Sequence, residues 1–297
     1  MYGRSGVGKT TWWLNLAAFL FQTTGKKTRC YSGDGGSATV EYSGLVEDGV
    51  VELFQFTTRP NPFETTSFCC QGKWPADPEN PTSPWVNAPS KDGPYGLFVF
   101  EGLSVMAQYL MSGSVVGGLA YRRGQGEKTS QMDGAVTFKD GSVKVSHLTM
   151  SDYGALQRTM YDRIEETRVL PGMVYWTAHQ RDAEDSETKE RIIGPDVGGK
   201  ALTSKIGASF GNTIHLDTAQ KRRKERDGTT GKEVDVVDIE RRAYTREHYD
   251  PDGQNFLKYY ANNRCATPDK MPLYLSPPDP VQFYRLLKEG RRSAVSA

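Results

Sequence analysis

No run of apolar residues in this chain reaches the roughly 20 residues that a membrane-spanning helix needs, so no membrane partner is expected. The amino end has no signal-peptide pattern. Cysteine is scarce: Cys30, Cys69, Cys70 and Cys265 have no metal-ligand spacing, and the adjacent Cys69 and Cys70 suit neither a C-x-x-C chelate nor an easy disulfide. These absences point to a reducing cytoplasm. An excess of one charge is also lacking, because 37 Lys and Arg offset 36 Asp and Glu to leave a formal net charge of +1. Any nucleic-acid binding must therefore come from local patches and not from a global field. No internal repeat is visible. What remains is an ordinary globular composition, 37% hydrophobic and 25% charged over 297 residues, enough for one large α/β domain or a domain plus a small appendage.

Against that background one segment stands out. Gly3-Arg4-Ser5-Gly6-Val7-Gly8-Lys9-Thr10 has the spacing of a phosphate-binding P-loop, which about one chain in a hundred of this length would match by chance. The glycines let successive N–H groups turn inward at a phosphate, Lys9 adds a point charge for the β and γ phosphates, and the Thr10 hydroxyl can ligate Mg²⁺. Thr11 begins an apolar stretch to Leu20 that reads as a helix, whose positive end faces the anion. Gly3, Arg4, Ser5, Gly6, Val7, Gly8, Lys9, Thr10 and Thr11 are thus the expected nucleotide-binding residues, for ATP with Mg²⁺. A P-loop ordinarily follows a buried strand, yet only Met1 and Tyr2 precede Gly3, so a shortened sequence or a substitute element is expected.

Further along, residues 28–31 and 50–56 read as strands, while 59–94, rich in proline, reads as an ordered loop or surface insertion without regular structure. Leu97-Phe98-Val99-Phe100-Glu101 is a buried strand closed by an acid. Weak strands fall near 135–147, and a helix runs from Asp152 with Tyr153, Leu156, Met160 and Ile164 on one face. Met173–Thr177 is the next buried strand, leading into His179 and Gln180, and 181–200 reads as a flexible loop. Residues 212–218 and 234–243 read as two strands joined by a polar connector holding Lys221-Arg222-Arg223-Lys224-Glu225-Arg226, and a final helix lies near 280–289. Apolar strands alternating with helices predict a three-layer α/β sheet, mostly parallel, with ligands beyond the strand carboxyl ends. The division expected is a core over 1–220, with 59–94 inserted, and a hairpin plus carboxyl-terminal extension over 221–297 packed on it.

Gly3–Thr10, Asp34, Glu101, His179 and Gln180 all fall at predicted strand carboxyl ends and can converge. Glu101, on a strand expected beside the P-loop, would hold the metal together with Thr10. Asp34 can orient the attacking water as general base, with Glu41 and Glu101 as rivals. His179 and Gln180 can sense the γ-phosphate, and Arg264 or Lys258 can neutralise it from a neighbouring subunit. Lys221–Arg226, Lys200, Lys205, Arg122, Arg123 and Lys128, with Tyr121 to stack on bases, could line a single-strand channel.

Four stretches together resemble phage-encoded RecA-like ATPases, including those of single-strand annealing and recombination: 3–10, 98–104, 174–180 and Tyr260-Ala261-Asn262-Asn263-Arg264 ahead of Pro268. Residues 59–63 and 72–75 are similar to insertions in phage members. The resemblance implies a RecA-like core, Mg·ATP at a subunit interface, a homo-oligomeric ring or filament, and turnover coupled to DNA, in a host-cell cytoplasm. The chain departs from the pattern in its missing first strand, in Glu101 where Asp is usual, and in Asn262 where Lys is usual. The function expected is Mg-dependent ATP binding and hydrolysis in phage DNA recombination, annealing or replication, with single-stranded DNA as partner. The rival expectations are a nucleotide-gated assembly protein without DNA coupling and a packaging or unwinding motor. A small-molecule kinase is disfavoured by the lack of an arginine-rich lid.

Overall fold

The computed structural model describes residues 1–33, 36–86, 90, 92–111, 135–137, 143–145, 150–184, 191–198, 200–203, 205–226, 232–249, 258–263 and 271–295. The elements that build the site are β1 (Tyr2–Gly3), α1 (Lys9–Thr24), β2 (Lys27–Ser32), α2 (Gly36–Glu41), β3 (Val51–Gln55), α3 (Pro62–Cys70), β4 (Tyr95–Glu101), α4 (residues 103–111), α5 (Met150–Glu166), β5 (Met173–Trp176), β6 (Ala178–Glu184), β7 (Arg191–Pro195), β8 (His215–Arg226), β9 (Glu233–Tyr244) and α6 (Pro280–Val295).

Strands β3, β2, β4 and β5 lie side by side in that order, all parallel. At Thr177 the chain changes partners. The Thr177 N–H donates to Phe100 O at 3.0 Å and the Ala178 N–H to Met1 O at 3.0 Å, so β5 continues into β6 while its pairing passes from β4 to β1. Beyond β1 come β8 in parallel and β9 antiparallel, and on its other edge β6 pairs antiparallel with β7. The result is a parallel half joined to an antiparallel half. One expectation needs correcting here: β4, which carries Glu101, is not beside the P-loop strand, because β5 and β6 lie between them. The first strand, expected to be missing, is present as two residues at the centre of the sheet. It is held by main-chain pairing on both sides and by the Tyr2 hydroxyl, which donates to Ile193 O at 2.9 Å and to Tyr260 O at 2.7 Å.

Period-two alternation sorts the strands onto two apolar faces, as expected of a sheet covered on both sides. Leu97 and Val99 of β4 face α1, where Trp13, Leu14, Leu16, Ala17 and Leu20 are buried against Cys30, Val40 and Val51. Phe98 and Phe100 face the other way, toward Leu103, Met106 and Leu110 of α4 and Leu156, Met160 and Ile164 of α5. Trp176 stacks on Phe100 at 4.3 Å. Helix α6 closes the α1 side, where Phe283 is buried with Val7, Trp12 and Ile214. Helix, sheet and helix make the three layers expected. Below Met1 a cavity of about 730 Å³ opens between Met173–Trp176 and Phe210–Ile214, roofed by Trp12, Leu16 and Phe283.

Three further segments differ from expectation. Residues 59–94 contain a regular helix, α3, capped by Asn61, and a small ladder pairing Trp74–Pro75 with Trp85–Val86. Much of 181–200, expected as a loop, is the β6–β7 hairpin. The basic run 221–226 lies on a strand and not on a connector, because β8 extends to Arg226 and pairs along its whole length with β9. The division at 220/221 therefore falls inside β8, whose first two residues pair with β1. Among the described residues no helix is long and apolar enough to cross a membrane.

Gly3 marks the tightest approach between site and sheet: a Cβ there would lie 2.3 Å from Leu216 O on β8. Because that neighbour is backbone, Gly3→Ala must push β8 away from β1. The expected outcome is a loss of about 1–3 kcal/mol of stability, read from urea unfolding. An unchanged midpoint would show that β8 withdraws without cost.

Candidate nucleotide-binding site

The loop from Arg4 to Gly8 joins the top of β1 to α1. Gly6 and Gly8 have φ of 76° and 99°, and a Cβ on either would meet nothing within 4 Å. Glycine is needed there for its left-handed backbone and not for space. Val7, between them, is buried against Trp12 and Ile214 and pins the loop to the core. Arg4, Ser5 and Thr11 are exposed. Helix α1 has no acid in its first turn and no side chain capping its amino end. Its first N–H groups, which have no intrahelical acceptors, are thus presented to an anion. Lys9 Nζ donates to Gly3 O at 3.0 Å and Arg4 O at 2.8 Å, folding the side chain back over the loop.

Thr10 reaches across the intervening strand. Its hydroxyl donates to Glu101 Oε1, so the two residues expected to hold the metal are in direct contact. Glu101 is buried at the end of β4, and the backbone around it is fixed. Gly102 turns with φ 94° and its N–H donates to Thr177 Oγ1 at 2.9 Å, Leu103 N–H donates to Thr177 O at 2.7 Å, and Gly33 N–H donates to Glu101 O at 2.9 Å. The last bond brings the end of β2 beside Glu101. Asp34 itself, one residue on, lies outside the described residues, as does Arg264. Glu41 is exposed at the end of α2.

His179 pairs in register with Gly3 and is held by its main chain. Its N–H donates to Ser104 Oγ at 3.0 Å and its carbonyl accepts from Asp196 N–H at 2.7 Å, while Ser104 Oγ donates to Asp196 O at 2.7 Å. Asp196 Oδ1 accepts from Arg181 at 3.0 Å and from Gly198 N–H at 3.2 Å. Gln180 turns to a different partner, with its Oε1 3.4 Å from His215 Nε2. His215 Nδ1 is 3.3 Å from His248 Nε2, and His248 Nδ1 is 3.3 Å from Arg246 O. Tyr2 stacks on His215 at 4.8 Å, Tyr259 at 4.7 Å, and Tyr244 stacks on His248 at 3.6 Å. Ser104, Asp196, His215 and His248 carry no local sequence signal: the two histidines are 33 positions apart, and only strand pairing unites them.

Three of the cations expected to meet DNA or phosphate are engaged in ion pairs. Lys258 pairs with Glu247 at 3.1 Å, Arg223 with Asp238 at 2.6 Å and with Glu225 at 3.0 Å, and Lys224 with Glu233 at 3.4 Å. Arg122, Arg123, Lys128 and Tyr121 lie outside the described residues, Lys205 is exposed, and the side chain of Lys200 is not described. Among the described residues no group of three or more His, Cys, Asp or Glu could form an all-protein metal cage. Thr10 and Glu101 bring one hydroxyl and one carboxylate together, oxygen donors of the kind Mg²⁺ takes alongside phosphate.

No family model matches the chain, and no curated protein matches it. Among solved structures it is similar to the flagellar accessory protein FlaH from Methanocaldococcus jannaschii, at 9% identity and a TM-score of 0.41, over 93% of this chain and 81% of FlaH. That likeness is too slight to bear on fold or function.

Burial, the neighbouring His248 and the charge of Arg4 hold His215 well below its ordinary value, and burial brings His248 down to about 4 against the pull of the Arg246 carbonyl. Both rings are neutral when folded, whereas the unfolded chain takes up protons near the ordinary value of 6.5. Between about pH 4 and 6.5 the unfolded state therefore binds more protons, so stability rises with pH and is lost as pH falls through that window. The melting temperature should drop more steeply from pH 6.5 to 4.5 in the native chain than in His248→Gln. Parallel slopes would show that His248 contributes nothing to acid lability.

Proposed function

We propose that this chain is a Mg-dependent, ATP-binding and ATP-hydrolysing protein of RecA-like type that acts in phage DNA recombination, single-strand annealing or replication. The observation that carries the nucleotide reading is the bond between Thr10 and Glu101, two residues 91 positions apart and on non-adjacent elements, formed at the mouth of a loop with left-handed glycines. In this reading the amides of residues 6–10 cradle the phosphates, and Lys9 exchanges its loop carbonyls for β and γ oxygens. Thr10 and Glu101 would hold the ion, which when bound neutralises charge developing between the β and γ phosphates. Asp34 would accept a proton from the attacking water, His179 and Gln180 would sense the γ-phosphate, and Arg264 would serve a neighbouring subunit in a ring or filament. Buried apolar layers on both sides keep these groups in place, so that positioning does most of the catalytic work.

Opposing carboxylates neutralise Arg223 and Lys224 on the β8–β9 ribbon, which leaves little unbalanced charge for a phosphate backbone. That observation favours a second reading, in which ATP sets contacts between copies of the chain without DNA.

Lys9→Ala is expected to abolish ATP binding and turnover while the fold persists; native ATPase activity in that variant would falsify the nucleotide site. Steady-state hydrolysis with and without single-stranded DNA, with oligomer mass recorded in parallel, separates the two readings. A DNA-coupled enzyme accelerates with DNA and loses the effect as salt rises. A flat rate together with ATP-dependent oligomers supports the assembly protein.

A further inference from the structure

We propose that His215 and His248 are positioning residues that fix Gln180 as a hydrogen-bond donor, so that its amide oxygen is left to orient a water at the nucleotide site. The functional half of this inference rests on the ATPase reading above; the proton arrangement does not.

It follows from counting protons. Three contacts run in series, Gln180 to His215, His215 to His248 and His248 to Arg246 O, at 3.4, 3.3 and 3.3 Å. With the Gln180 oxygen facing His215, each contact needs its own ring proton, three in all. Two neutral imidazoles carry two. A third proton would make a buried imidazolium, which the surroundings of both rings oppose. Giving up the last contact would aim a ring lone pair at a carbonyl oxygen. Turning the Gln180 amide by half a turn, a change between two nearly isosteric ends, satisfies everything. The amide N–H then donates to His215 Nε2, His215 Nδ1–H to His248 Nε2, and His248 Nδ1–H to Arg246 O. The carbonyl of Arg246 can only accept, so it sets the direction of the whole series.

The position of Gln180 gives that direction a use. It lies two residues past Ala178, the register partner of Tyr2, which places it on the strand beside Arg4 at the start of the loop. The Arg4 charge is felt at His215. An amide presenting N–H would bind a phosphate oxygen, as a γ-phosphate sensor must, whereas one presenting its oxygen accepts from water; this arrangement gives Gln180 the water in place of the phosphate contact and leaves γ-phosphate sensing to His179.

The test uses the full chain labelled with ¹⁵N-histidine. Two-bond ¹H–¹⁵N spectra at pH 7.5 should show both rings protonated at Nδ1, and a proton on His215 Nε2 would overturn the arrangement. Gln180→Glu, which can only accept, should drive His215 to the other tautomer or to imidazolium; an unmoved His215 signal counts against the link. Gln180→Ala should lower kcat about a hundredfold with ATP affinity retained. Loss of affinity instead, or an unchanged kcat, would remove the water-orienting role. Because the spectra need no nucleotide, they stand or fall apart from the Lys9→Ala result.

Discussion

The exchange of partners at Thr177 is the constraint on which the site depends. Up to Trp176 the strand belongs to the Glu101 side of the sheet, and from Ala178 onward it belongs to the P-loop side. Thr177 uses its hydroxyl and its carbonyl to fix Gly102 and Leu103, so the turn carrying Glu101 is tied to the strand that separates it from β1. Thr10 can therefore meet Glu101 although their strands are not neighbours.

The parts of the molecule that were legible in the sequence are those whose signal is local. The P-loop spacing, the apolar run of α1 and the buried strands ending at Ser32, Glu101 and Trp176 each announce themselves within ten residues. The order of strands does not, because pairing partners lie about 75 positions apart for β4 and β5 and about 175 for β1 and β6. The ribbon was misread for a different reason. Residues 221–226 have no apolar alternation, and cations there oppose acids across the pair: Lys224 faces Asp235 and Arg226 faces Glu233. Those partners lie on another segment, so a local reading meets only a cluster of positive charge. Proline between 59 and 94 likewise suggested irregular chain, yet Pro62 sits in the first turn of α3, where its missing N–H costs nothing.

The two-residue β1 survives at the centre of a sheet because its side chain compensates for its brevity. Tyr2 is fully buried, bonded through its hydroxyl to two carbonyls and stacked on His215. The same stack continues through Tyr259, His248 and Tyr244, so the floor beneath the P-loop is aromatic and its only titratable bases are kept neutral. Imidazolium in that floor would repel Arg4, whose charge already disfavours protonation of His215. A neutral floor leaves the field at the loop to the helix end, Lys9 and Arg4.

The β8–β9 ribbon has a mechanical meaning that follows from its length. Its twelve-residue strands span about 40 Å, yet only the first two residues of β8 pair with β1 and only Ala243 and Tyr244 of β9 are clamped by the Tyr274–Leu275 strand. The ribbon is thus anchored by main-chain pairing chiefly at the end where the P-loop begins. By leverage alone, a tilt of about 5° at Tyr2 and His215 would carry Arg226 through about 3 Å, so a small adjustment at the base of the loop is magnified along the ribbon.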